Sequence, residues 1–323
     1  MEHIEGSVET GIRLRFDLYI AETLGLLSRS QLKTRFVSLT VDGKDAKLSR
    51  LVENGDRFCL HLLDDVDRSM ATTPEDIPLS VLYEDASVIV VDKPQGMVVH
   101  PAHGNWSGTL ANALLGRLSA GGASLEPPAR AGIVHRLDKD TSGVIIAGKT
   151  AAAQEFLAAQ FRERMTVKTY MAITRRSPKA SDRVGAKARG SGGIIDNWLA
   201  RDPRDRKRYA LSAEGDGKRA ISEWRILAES GGYAVLALSL HTGRTHQLRV
   251  HCKALASPIL GDPVYGEPDR RFPMASLMLH ARELRICLPG AVDATVFRAP
   301  LPVRFLEIGG SLGLDPFPDA VDQ

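Results

Sequence analysis

Two short stretches of this 323-residue chain concentrate side chains able to do chemistry. The first is HRLDKDTSG, residues 135–143, which holds His135, Arg136, Asp138, Lys139 and Asp140. The apolar runs GIV and GVIIAG flank it, so these groups are expected on a loop between two strands. Loops held by a rigid scaffold are the usual home of reactive groups. A carboxylate placed there can act as a covalent nucleophile, or as an electrostatic partner to a developing cation. The second stretch is LHTGRTHQLRVH, residues 240–251, with Arg244, His246, Gln247, Arg249 and His251. Its alternation predicts Leu248 and Val250 on one face and Gln247, Arg249 and His251 on the other. Such a row of donors suits phosphate, or a buried carboxylate partner. A third feature is Lys168-Thr169-Tyr170, opening a strand after a basic helix end with Arg162 and Arg164. Alone, these residues imply a basic, carboxylate-containing site.

Other chemistries are disfavoured. Residues 143–150, GVIIAGKT, satisfy the spacing of a phosphate-binding loop. Such a loop needs backbone-exposing residues between its glycines, whereas Val-Ile-Ile-Ala is stiff and favours an extended strand. Cys59, Cys252 and Cys287 are far apart, which argues against a disulfide framework and against a zinc site. The histidines of 240–251 lack further ligands at metal spacing, so no metal is expected. No stretch approaches 18 uncharged apolar residues, so no membrane span is expected and a soluble cytoplasmic protein is the default. The formal net charge is only +3, so an argument for a polyanionic partner has to rest on local clustering of charge.

The elements that must position these groups divide into two domains. Residues 12–65 read as a compact α+β unit. Leu14, Leu18, Ile20, Ala21 and Leu24 have helical spacing, and Ser28 is placed to cap a second short helix, SRSQLKTRF. Arg29, Lys33 and Arg35 fall on or near one face of it, as a phosphate-tracking helix would present them. LTVDGKDAKL predicts a strand, an Asp42-Gly43 turn and a return, and RFCLHLL another strand. Residues 66–78 read as a linker. Residues 79–310 form the larger domain, followed by a loose tail at 311–323. Within it, SVIVV is a continuous apolar run, as expected of a strand buried on both faces. TLANALLGRL and TAAAQEFLAAQFRERM predict helices, while GVIIAGK, TYMAI, RAISEWRILA, YAVLALSLH and ELRICLP predict strands. That order implies an α+β fold with a mixed, largely antiparallel sheet.

Five segments in order resemble the motifs of the RluA-type pseudouridine synthases. They are VIVVDKPQGMVVHPAHGN, RAGIVHRLDKDTSGVIIAGKT, KTYMAI, TGRTHQLRVH with SPILGDPVYG, and LHARELRICLP with FRAPLP. Residues 13–60 resemble the small RNA-binding domain named after ribosomal protein S-four, through RLRFDLYIAETL, the SRSQLK helix and the VDGK turn. Within the family, MVVHPAHGN and the added domain most resemble the RluD type, which modifies large-subunit (23S) ribosomal RNA.

The resemblance implies roles. Asp138 matches the aspartate that attacks the target uridine, and Arg136 the arginine that enters the RNA where the flipped base leaves the stack. Tyr170 matches the tyrosine that stacks on the base and is also a candidate proton acceptor, and Arg249 the arginine that pairs with the aspartate. Leu279 lies where the family has an apolar residue beneath the uracil. His135, Lys93, Arg244 and His251 are expected to support the RNA contact, with Arg29 and Lys33 serving in the small domain. The reaction detaches uracil, turns it and rejoins it through carbon 5, so no cofactor is expected. The partner implied is RNA, 23S rRNA in pre-ribosomal particles, and the protein is expected to be a monomer. A synthase acting on tRNA or another rRNA site is the alternative, as is a non-catalytic assembly factor. The latter is disfavoured because Asp138, Tyr170 and Arg249 are all present.

Overall fold

The computed structural model describes residues 2–27, 29–63, 73–102, 104–120, 129–205 and 207–314. It separates into two compact units, one through residue 71 and one from residue 72 onward.

The small unit begins earlier than residue 12. β1 (Glu2–Ser7) pairs along its length with β6 (Arg57–Leu62). Between them run β2 (Leu14–Arg15), α1 (Phe16–Leu18, continued by a π-helical turn over Tyr19–Thr23), α2 (Arg29–Arg35), β3 (Phe36–Val41), β4 (Lys44–Asp45) and β5 (Leu51–Val52). The expected cap at Ser28 lies outside the described residues. Asp42 and Gly43 both have positive φ, 50° and 74°. That is the backbone of a two-residue hairpin turn matching the strand twist. The core is aromatic, with Phe16, Tyr19 and Phe58 packed edge to face or tilted.

The large unit is built on one eleven-stranded sheet. Its strands are β7 (Ser80–Glu84), β8 (Val88–Lys93), β9 (Ser142–Gly148), β10 (Val167–Arg175), β11 (Ala186–Arg189), β12 (Gly192–Arg201), β13 (Tyr209–Ser212), β14 (Lys218–Ser230), β15 (Tyr233–Leu240), β16 (Leu279–Cys287) and β17 (Ala294–Arg298). Every pairing is antiparallel except β9 with β16. The mixed, largely antiparallel sheet expected from the sequence is therefore present.

The apolar runs of β8 and β9 follow from burial on both faces. Ile89, Val91 and Ile145 join the core beneath α3 (Leu110–Ala120), whereas Val88, Val90, Val144 and Ile146 pack with α4 (Ala151–Arg162) on the other side. The segment GVIIAG is this strand, wholly buried, and Thr150 caps α4, so no phosphate-binding loop exists there. Gly143 has φ of 117°, and a Cβ there would lie 2.2 Å from the carbonyl of Ala281. Only glycine lets β9 meet β16 at this point.

Two further boundaries differ from expectation. Residues 73–78 are docked, not a free linker. Asn112 Nδ2 donates to the Thr73 carbonyl, and the Gly108 N–H to the Glu75 carboxylate. The domain also continues past residue 310. α6 (Val303–Ser311) is followed by Leu312, buried in the main core, whose carbonyl accepts from Ser230 Oγ. The tail from residue 315 lies outside the described residues.

Candidate active site

The segment 134–141 is a loop that ends where β9 begins, as its composition implies. Its conformation is set from below. Lys93, at the end of β8, is fully buried and donates from Nζ to the carbonyls of Pro94, Met97 and Lys139 at 2.8–3.1 Å. The Gly96 N–H also donates to the Lys139 carbonyl, and Gln95 Nε2 to those of Asp140 and Leu277. The turn after β8 therefore clamps the loop one residue beyond Asp138. Burial lowers the Lys93 pKa to about 8, against the attraction of Asp140 and Asp138. The expectation that Lys93 touches RNA is corrected: a side chain with no exposed surface, enclosed by carbonyls, holds the loop.

The stretch after Gly243 corrects a second expectation. Residues 247–254 are a helix, α5 (Gln247–Ala254), not an alternating strand. One helical turn separates Gln247 from His251, so they share a face, and both bond Ser222 Oγ. His251 also meets Asn197 Oδ1 at 3.1 Å and is 1% exposed, so it ties α5 to the sheet and has no path to RNA. Burial lowers its pKa to about 3.

Arg249 points the other way. Its Nε and Nη2 donate to the two oxygens of Asp262 at 2.7 Å each, and its Nη1 reaches Asp138 Oδ2 at 3.4 Å. Burial works against its charge, but Asp262 and then Asp138 outweigh it and raise its pKa. Asp262, whose carboxylate is held low by the same pair against the cost of burial, was not singled out in the sequence. Neither was Tyr265, whose ring lies 5.1 Å from the Arg249 guanidinium.

These elements enclose a cavity of about 430 Å³. That is the size of a small-molecule site. Asp138 lies in its wall and Tyr170 and Leu279 face it, both largely buried. Burial first, then Asp138, pushes the Tyr170 phenol pKa up, so its hydroxyl stays protonated at neutral pH. His135 also lines the cavity, but its Nε2 accepts the Ile146 N–H and its ring stacks on Phe161 at 4.5 Å. It is part of the wall more than a free contact.

Charge is distributed unevenly. Arg136, Arg162, Arg164, Lys168, Arg244 and Arg249 line the cavity, with Asp138 the one carboxylate among its described lining residues. Such a cleft draws in a polyanion. Arg136 is exposed, and Arg244 is half-buried, with Nε donating to the Arg219 carbonyl. Arg29 and Lys33 lie exposed on α2 of the small unit, where Arg29 pairs with Asp17 at 3.1 Å. Among the described residues, no three His, Cys, Asp or Glu side chains converge as metal ligands would.

The family model for RNA pseudouridylate synthase matches residues 87–254, which include the Lys93 clamp, the loop that carries Asp138 and α5. The chain belongs to the RNA pseudouridylate synthase family. A ribosomal large subunit pseudouridine synthase D of Borreliella burgdorferi is 39% identical over 298 residues, 91% of this chain and 88% of that protein. Its counterpart in Xanthomonas campestris pv. campestris is 41% identical over 254 residues, covering 78% and 71%. Human RNA Pseudouridylate Synthase Domain Containing 4 shares the fold with a TM-score of 0.57 at 24% identity, covering 77% of this chain and 95% of that one. This synthase is thus an isomerase acting on RNA.

Proposed function

We propose that this synthase converts uridine to pseudouridine in large-subunit ribosomal RNA, with Asp138 as its nucleophile. The observation that carries the chemistry is the Asp138 carboxylate, set in a cation-lined cavity beside an arginine that stays charged. The substrate class rests on the two relatives, both named for the large ribosomal subunit.

A uridine stacked in RNA has to be extruded, at a cost of a few kcal/mol. Arg136, exposed at the cavity, fills the vacated space and holds phosphate. The uracil then lies between Tyr170 and Leu279, and aromatic stacking of this kind returns about 1–3 kcal/mol. Asp138 supplies an electron pair. Attack at the ribose carbon displaces the glycosidic pair onto uracil, and addition to the ring moves the C5–C6 π pair toward the C4 carbonyl. The high pKa of Tyr170 fits a neutral phenol that stacks and donates a hydrogen bond better than a tyrosinate base. The small unit supplies further affinity through Arg29 and Lys33. The enzyme works as a monomer in the cytoplasm, on rRNA within pre-ribosomal particles.

The test is chemical mapping of pseudouridine in cellular RNA with the protein, without it, and with Asp138→Asn in its place. Sites in large-subunit rRNA should vanish in the last two samples, while the variant still binds RNA. Sites confined to tRNA would overturn the substrate, and modification retained by the variant would overturn the nucleophile.

A further inference from the structure

The two oxygens of the Asp138 carboxylate have different surroundings. Oδ2 is approached by Arg249 Nη1 at 3.4 Å and by His246 Nε2 at 3.9 Å. Oδ1 bonds no protein group among the described residues and is not an enclosed atom, so it opens on the cavity.

Which proton His246 carries follows from its other nitrogen. Nδ1 lies 2.9 Å from the hydroxyl of Tyr265. That oxygen already accepts the backbone N–H of Tyr209 at 2.8 Å, and a phenol has a single proton to donate. Tyr265 is 4% exposed, and its hydroxyl has no other acceptor among the described residues. An enclosed hydroxyl donor is rarely left without an acceptor. The Tyr265 proton therefore goes to Nδ1, and the ring proton of His246 sits on Nε2, facing Asp138. Burial lowers the His246 pKa, only partly opposed by Asp138, so the ring is neutral at pH 7 and has a defined tautomer.

The backbone is shaped to the same end. His246 has φ of 56°, left-handed and uncommon for a residue with a side chain. This residue opens α5, and its ring meets Tyr209 and Tyr265 edge to face at 6.0 and 5.5 Å. A strained backbone around a ring held on two sides indicates a position fixed for function.

We propose that His246 is a positioning residue: its Nε2–H and Arg249 Nη1 together hold Asp138 through Oδ2, leaving Oδ1 as the oxygen that meets the substrate. The inference rests on Asp138 being the nucleophile. A carboxylate held by one long contact can turn about its Cβ–Cγ bond, whereas two donors on one oxygen fix which lone pairs face the reacting carbon. Active-site hydrogen bonds that are long in the free enzyme tighten as substrate fills the site. For this hold the 3.9 Å contact has to shorten in this way once the nucleotide fills the site.

The test combines kinetics with a spectroscopic readout. His246→Leu should lower single-turnover kcat by about 10- to 100-fold, the worth of one charge-assisted hydrogen bond. RNA affinity should stay within about threefold, since the lost bond is internal to the protein. His246→Gln, whose amide nitrogen can take the place of Nε2, should recover most of the rate. In the wild-type protein, nitrogen-15 spectra of labelled histidine should show His246 as the neutral Nε2–H tautomer, its signal assigned by its loss in His246→Gln. An Nδ1–H tautomer, or equal rates for the Leu and Gln variants, would overturn the proposal. Asp138→Asn separates the two ideas. If that variant is inactive while His246→Leu turns over normally, only the positioning role fails. If it modifies RNA, the nucleophile assignment fails first.

Discussion

Arg249 gives two of its guanidinium nitrogens to Asp262 at 2.7 Å and only the third to Asp138, at 3.4 Å. The pairing expected from sequence is present, but it is the weaker of two. Asp262 Oδ1 also accepts the N–H groups of Val264 and Tyr265, so this carboxylate is itself fixed by the turn that carries it. Arg249 is thereby aimed before substrate arrives, and Asp138 keeps an oxygen unclaimed by any described residue.

The first prediction concerns that anchor. Asp262→Asn leaves the Arg249 cation buried without its main counter-charge, and removing one partner of a buried pair costs about 3–5 kcal/mol. The freed guanidinium is also able to swing onto Asp138 and occupy both of its oxygens. Turnover should fall at least about tenfold, and the thermal midpoint should drop in the same preparation. Arg249→Ala should be nearly inactive. Full turnover with an unchanged midpoint in Asp262→Asn would make the 2.7 Å pair incidental.

A second prediction follows from Lys93. Its pKa is about 8 in the folded protein, against an ordinary 10.5. Between those values the unfolded chain holds more protons than the folded one, so stability rises with pH, by roughly 3 kcal/mol in total from this group. Activity should move the other way. A neutral amine has two N–H groups for three carbonyls, and the clamp on Lys139 loosens. Denaturant titrations from pH 7.5 to 10 should show the stability slope in the wild type and its absence in Lys93→Met. Identical slopes in the two proteins would remove Lys93 as the titrating group.

Much of this was legible in the sequence where the physics is local. β8 and β9 read as buried strands because both of their faces are covered, which leaves no polar alternation. The Asp138 loop read as such because its charges lie between two apolar runs. The segment RTHQLRVH misled because five residues of alternation also fit one helical turn. The two readings part at the backbone, where the Val250 N–H donates to the His246 carbonyl, and at Arg249, which leaves the face that Gln247 and His251 share. Asp262 was invisible as a partner because a chain reversal brings it back to Arg249 from 13 residues away. Lys93 and His251 looked like surface contacts because charged and polar residues are mostly exposed, and Lys139 and Asn197, which help to enclose them, are 46 and 54 residues away. The cationic cavity escaped the net charge of +3 because its arginines and lysine come from separate segments of the chain.

Acid lability is the third prediction. His251 and His280 are buried and His135 is half-buried against Phe161, and each has its pKa lowered to about 3 from 6.5. Below pH 6.5 the unfolded chain takes up protons that the folded protein refuses. Each histidine then removes about 1.4 kcal/mol of stability per pH unit, and the trio about 4 kcal/mol. The ion-paired carboxylates, Asp262 among them, begin to lose their contribution as the unfolded chain protonates in the ordinary carboxylate range, and go on losing it below that. Urea unfolding between pH 6.5 and 4.5 should give a slope that reaches at least about three protons, since His246 and His100 shift the same way, and that falls by about one proton in His251→Gln. A flat profile over that interval would contradict the three neutral rings.

The last prediction bears on the small unit. Lys33 is exposed on α2, whereas Arg29 shares Asp17 with Arg15 at 3.1 and 2.9 Å. The field of Arg29 is therefore partly cancelled inside its own unit, whereas Lys33 has no ion pair among the described residues. If α2 tracks RNA phosphate, Lys33→Gln should weaken binding more than Arg29→Gln. Each lost phosphate contact should also lower the slope of log affinity against log salt by about 0.7–0.9. Single-turnover rates at saturating RNA should stay at the wild-type value, because Asp138, Tyr170 and Arg249 belong to the other unit. Removing residues 1–71 should likewise cost affinity or choice of site before it costs chemistry. Affinity, salt slope and modified sites all unchanged in these variants would leave the small unit without an RNA-binding role.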